Sequence, residues 1–222
     1  MIEKNNFGMT PDGSGTDIPV ALPEKLVHAV YAFVDEAVAG ELERLRSEEG
    51  IIPSCKSGCC HCCRYHIMAN IAEARTLALF VRREFSAEQI KALRMRTQQW
   101  HEWDNSRPGR PAAIIAEQTD LSGYQQCCPL LVDGACSAYG VRPIVCRVHY
   151  VSTPARFCDG VNNPDSTEEA PLVLKSIVEA ARPFSRAIRD QIEETGTHFS
   201  RSSMLLPQGL AIEMGWDFAL LP

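Results

Sequence analysis

The chain has no apolar run approaching the roughly 20 residues that span a bilayer, and residues 1–19 lack the apolar core of a secretory signal. It also lacks an excess of positive charge. With a net charge of −6 over 222 residues, it offers no electrostatic footprint for nucleic-acid phosphates. The pair Arg82-Arg83 sits beside Glu84 and reads as a solvated helix face. No glycine-rich nucleotide loop follows an expected strand, and no P-loop, zinc-protease helix or Ser–His–Asp signature occurs. Internal repeats and low-complexity tracts are absent. These absences predict a cytoplasmic chain whose partner is neither nucleic acid nor membrane; no protein partner is named by the residues.

What the sequence does have is sulfur. Ten cysteines in a compartment where thiols stay reduced point to metal or redox chemistry rather than to disulfides. Five of them, Cys55, Cys59, Cys60, Cys62 and Cys63, lie within nine residues that also hold His61. Cys127, Cys128, Cys136, Cys146 and Cys158 follow in a looser second set. Thiolates suit soft and borderline metals. Zinc takes four ligands, often as two close pairs, and iron–sulfur clusters also take four cysteines. The expectation is that the two sets are halves of one metal site, one site being favoured over two.

The adjacent pairs Cys59-Cys60, Cys62-Cys63 and Cys127-Cys128 send neighbouring side chains in different directions wherever the chain is extended. Vicinal disulfides are disfavoured, because adjacent Cα atoms about 3.8 Å apart fall below the usual disulfide range. Cys60, Cys127 and Cys158 have an alternative reading as small buried hydrophobes. Arg64, Arg142 and Arg147 are placed to offset thiolate charge. His61, His66 and His149 stand near enough in sequence to ligate or to support a ligand; His28, His101 and His198 are assigned to helix faces or loops.

The fold expected around this site is mainly α, with four to five helices around an irregular cysteine-rich loop core. Residues 1–19 read as a flexible tail, 20–200 as a single helical domain with metal-site segments 55–66 and 127–158, and 201–222 as an apolar segment packing back on it. From Pro23 to about Glu49, Val27, Val30, Val34, Val38, Leu42 and Leu45 form one helical stripe, with Gly50 as its stop. Asn70-x-x-Glu73 and Ser86-x-x-Gln89 are capping boxes opening two further helices. A linker follows at residues 107–111, and residues 112–126 are ambiguous. A hairpin is expected around Val132-Asp133-Gly134-Ala135. A last long helix is expected from a Thr167 cap through Ile192, kinked or split by Pro183.

Cys55-x-x-Gly58-Cys59-x-x-Cys62-Cys63-Arg64, Glu73-Ala74, and the block Cys128-Pro129-Leu130-Leu131-x-x-x-Gly134-x-Cys136-Ser137-x-Tyr139-x-x-Arg142-Pro143-x-x-Cys146-Arg147 resemble the bacterial cysteine-cluster family. That family is described as a zinc- or iron-chelating domain and nicknamed for a CxxCxxCC signature. The likeness spans residues 55–147. Here the first gap is one residue longer than the nickname implies, and Cys60 and Cys127 are extra. The resemblance implies a metal site of Cys55, Cys59, Cys62, Cys63, Cys128, Cys136 and Cys146 holding zinc or iron, the latter also as an iron–sulfur cluster. Relatives include a flagellin lysine N-methylase and chains called iron–sulfur oxidoreductases. No enzymatic activity is carried over to this sequence.

Overall fold

The computed structural model describes residues 22–56, 58–107, 126–161, 163 and 165–220. The chain is mainly helical. The expected tail at 1–19 and most of the linker and ambiguous stretch at 107–126 lie outside the described residues. Among the described residues no helix is long and apolar enough to cross a membrane.

Helix α1 runs Glu24–Glu49. Pro23 stands at its N-cap, and Gly50 ends it at φ 69°, a left-handed conformation that an L side chain resists. Val27, Val30, Val34 and Val38 are buried along one face. They pack against α5 (Lys175–Glu194), which buries Ile177, Ala181, Ile188 and Ile192. Each such side chain, fully buried, contributes about 1.5–3 kcal/mol of transfer free energy, so this pair of stripes makes the first core.

The second core gathers α2 (Ile71–Glu84), α3 (Ala87–Ser106) and α7 (Leu206–Met214). Both expected capping boxes form: Asn70 Oδ1 accepts from Glu73 N at 3.0 Å, and Ser86 Oγ accepts from Gln89 N at 3.3 Å. Strand β1 (Met68–Asn70) leads into α2 and pairs antiparallel with β4 (Ser203–Leu205), setting Met68 opposite Leu205. The apolar C-terminal segment therefore returns to the core as α6 (Phe199–Ser202), β4 and α7. Between the two halves lies the second cysteine segment. It holds the hairpin β2 (Leu131–Val132) and β3 (Ala135–Cys136), then the one-turn helix α4 (Ile144–Val148). Asp133 and Gly134 both have positive φ, 50° and 79°, which gives a two-residue hairpin the twist of its strands.

Two expectations are corrected. The last long helix does not begin at Thr167 but at Lys175. Pro171 disfavours helical geometry for Ala170. The following stretch stays extended, with Leu174 N donating to Tyr150 O and Ser152 N to Leu172 O around a Val151–Val173 bridge. Nor does Pro183 divide the helix: α5 is continuous, with Pro183 on its exposed side.

Helix α7 approaches α2 through Gly209. A Cβ there would stand 2.9 Å from Ala74 Cβ and 3.2 Å from Met204 Cγ. Gly209→Ala should gain about 1 kcal/mol of helix propensity but lose about 1–3 kcal/mol to overpacking against an atom fixed to the α2 backbone. A net lowering of the urea midpoint is expected; an increase would mean that the two helices slide apart freely.

Candidate metal centre

The cysteine loop is sewn to the later segment by backbone bonds across long sequence gaps. Ser54 N donates to Val151 O at 3.0 Å, and Ser54 Oγ donates to Thr153 O. Cys128 N donates to Cys63 O at 2.7 Å. Tyr65 Oη donates to Cys158 O at 2.9 Å, and His61 Nδ1 lies 2.7 Å from Asp159 Oδ1. Within the loop, Gly58 adopts φ 83° and Cys59 N donates to Lys56 O at 3.0 Å. A 3-10 turn over His61–Arg64 then presents Cys62 and Cys63.

These links close a cavity of about 430 Å³ lined by Cys55, Cys59, Cys62, Cys63, Cys136 and Cys146. Six of the seven expected ligands thus share one space, four from the early loop and two from the later segment. The seventh, Cys128, is buried behind the wall among the apolar residues of the second core. Cys60 and Cys127 do not line the cavity. Cys158 is buried too, yet its thiol is near enough to Cys62 and Cys59 that their ionisation raises its own pKa. The sequence places it in the second cysteine set, twelve residues beyond Cys146, but the motif block ends before it.

The electrostatics favour neutral thiols in the metal-free chain. Burial pushes the Cys55, Cys128, Cys136, Cys146 and Cys158 thiols up. Cys62 is raised first by its hydrogen bond with Cys63 and then by burial. Opposing this, backbone N–H groups aim at sulfur. Val151 N lies 3.4 Å from Cys55 Sγ, and the amides of Leu130 and Ala138 favour the thiolates of Cys128 and Cys136. Arg142 lines the cavity, lies 3.7 Å over the Tyr139 ring, and lowers the pKa of Cys136, Cys62 and Cys146.

Of the three arginines expected to offset thiolate charge, Arg142 alone lines this cavity. Arg64 is exposed. Arg147 is buried at 2% exposure, donating to Asp35, Gly140 O and Arg142 O over the Tyr31 ring. Its work is to hold α4, and through it Cys146. Among the histidines, His149 lines the cavity, and its Nε2 is buried without a hydrogen-bond partner. Burial lowers the pKa of His149 and so favours the neutral ring. His61 instead pairs with Asp159, and His66 lies outside the lining.

The donor chemistry fits a soft or borderline metal: clustered thiols, N–H groups directed at sulfur, and an imidazole nitrogen with its partner missing. Among the described residues no three Cys, His, Asp or Glu side chains stand close enough to grip one ion as placed. A lone tetrahedral zinc at about 2.3 Å from each sulfur needs sulfurs about 3.8 Å apart. No protein-family model, no curated protein and no solved structure matches this chain.

Two outcomes follow from this geometry. The folded chain keeps thiol protons that the unfolded chain releases near the ordinary cysteine pKa of about 8.5. The native state then binds more protons, and stability falls as pH rises. With a chelator present, the urea midpoint should be highest below about pH 8.5 and decline above it; a flat profile to pH 10 contradicts the protonated cluster. Separately, Arg147→Met should cost about 1–3 kcal/mol by leaving the Gly140 and Arg142 carbonyls without their donor, measured by urea unfolding at pH 7.

Proposed function

We propose that this chain is a metal-binding cysteine-cluster protein that holds zinc or iron through thiolates facing the 55–63 and 136–146 segments. One observation carries the reading: six thiols from stretches about eighty residues apart line a single cavity beside an unpartnered imidazole nitrogen. Small buried hydrophobes have no reason to collect around open space. The motif resemblance supports the same ligands independently, since it rests on residue order and not on the fold.

Between the metals, the ring of sulfurs favours an iron–sulfur cluster over one zinc ion. A cluster spreads its four cysteine contacts over several atoms, which suits donors set around a cavity better than donors set around a point. The hydrogen bonds to the Cys55 and Cys136 sulfurs would tune its potential. The neighbouring Arg142 offsets the negative charge that such a centre carries.

Anaerobic purification followed by elemental analysis and an optical spectrum tests the proposal. Stoichiometric iron and sulfide, with visible absorbance that bleaches on reduction, is the expected result. Colourless protein with one equivalent of zinc would keep the thiolate site and remove the cluster. No stoichiometric metal would remove the proposal itself. Cys62→Ser and Cys146→Ser should lose most of the bound metal, whereas Cys60→Ser, outside the cavity lining, should retain it.

A further inference from the structure

A second cavity, of about 490 Å³, lies on the other side of α4. Val145 lines it while the next residue, Cys146, lines the cysteine cavity. Its α5 wall presents Arg182, Arg186 and Arg189 at helical spacing, so three guanidinium groups project to one face. The lining also carries apolar surface from Met68, Ala69, Ile144, Val145 and Phe199 beside polar Asn70 and Ser203.

The arginines are available. Arg186 makes no hydrogen bond or ion pair among the described residues. Arg182 pairs with Glu179 and Arg189 with Glu193, both within α5 and both solvent-exposed. Such exposed pairs are weak and exchange readily for a better anion. Arg189 also lies over the Phe199 ring at 5.9 Å, which braces its guanidinium plane beside the cavity. The acidic residue in the lining is Glu73. Its Oε1 accepts from Ile144 N at 2.8 Å, and its Oε2 accepts from Asn70 N and Nδ2. Both of its oxygens are thus taken up by donors of the fold, away from the arginine wall.

We infer that this cavity binds a small organic polyanion, carrying phosphate or carboxylate groups on an apolar body. The arginine fork matches both oxyanions in bidentate geometry. Seven residues of helix separate Arg182 from Arg189, about 10 Å along the axis. That span suits an anion with at least two charged groups rather than a single small ion. The volume falls in the range of about 300–1,000 Å³ usual for small-molecule sites. The inference is independent of what the cysteines hold, though any occupant would sit one helix away from them.

Isothermal titration calorimetry at low salt tests it, with ADP as the phosphate probe, citrate as the carboxylate probe and adenosine as the neutral control. One or both anions should bind at one site per chain while adenosine does not. Arg186→Gln should weaken binding at least tenfold, and the triple variant R182Q/R186Q/R189Q should abolish it with an unchanged melting temperature. The anion that binds identifies the headgroup. Absence of binding by both anions, or equal binding by the triple variant, overturns the inference. Metal content measured on the same samples keeps the two sites separate: loss of metal from wild type bears on the cysteine cavity alone.

Discussion

The carboxyl of Glu73 is the joint on which the rest of the architecture turns. One oxygen closes the capping box at the start of α2, and the other receives the Ile144 amide at the start of α4. A short helix of five residues has little stability of its own. Held only by its sequence, α4 would fray, and the Cys146 sulfur would have no fixed address. Arg147 completes the joint from the far end, reaching back to Asp35 on α1 and to carbonyls of the preceding turn. Burial raises the pKa of the Glu73 carboxyl, and the nearby Arg147 guanidinium is among the groups that oppose the rise. This polar pair therefore fixes the position of the wall between two cavities.

The thiols illustrate how one residue type serves two environments. Cys128 is packed as a core residue, while Cys63, Cys136 and Cys146 back onto the same apolar cluster and face the cavity. Their apolar surroundings raise the cost of ionisation, and the amides and Arg142 aimed at them lower it. A cation entering that space would remove the opposition at once by taking the place of the protons. The segment from 127 to 158 buries Leu130, Ala138, Val141, Val148 and Val151. It is kept against the early loop by hydrogen bonds from Ser54, Cys128 and Tyr65.

Much of the helical framework was legible in the sequence. The Val27–Leu45 stripe, the stop at Gly50, both capping boxes and the Asp133-Gly134 turn are local signals, since each depends on residues within a few positions of one another. The error at Thr167 was local as well: a good cap was outweighed by Pro171, four residues on. The gathering of the two cysteine sets into one space followed from sulfur chemistry. The assignment of individual sulfurs did not, because Cys128 and Cys158 differ from their neighbours only in what lies around them after folding.

By itself, then, the amino-acid order determined the helices, their buried faces and the concentration of thiols, all governed by backbone periodicity and side-chain type. Tertiary structure alone decided which sulfurs face the cavity, that Arg142 and not Arg147 stands beside them, and that three arginines of α5 line a separate cleft. The physical reason is range. Helical periodicity is written in neighbours three and four residues apart, whereas a cavity is bounded by groups whose separation along the chain carries no information until the cores of α1–α5 and α2–α7 have closed.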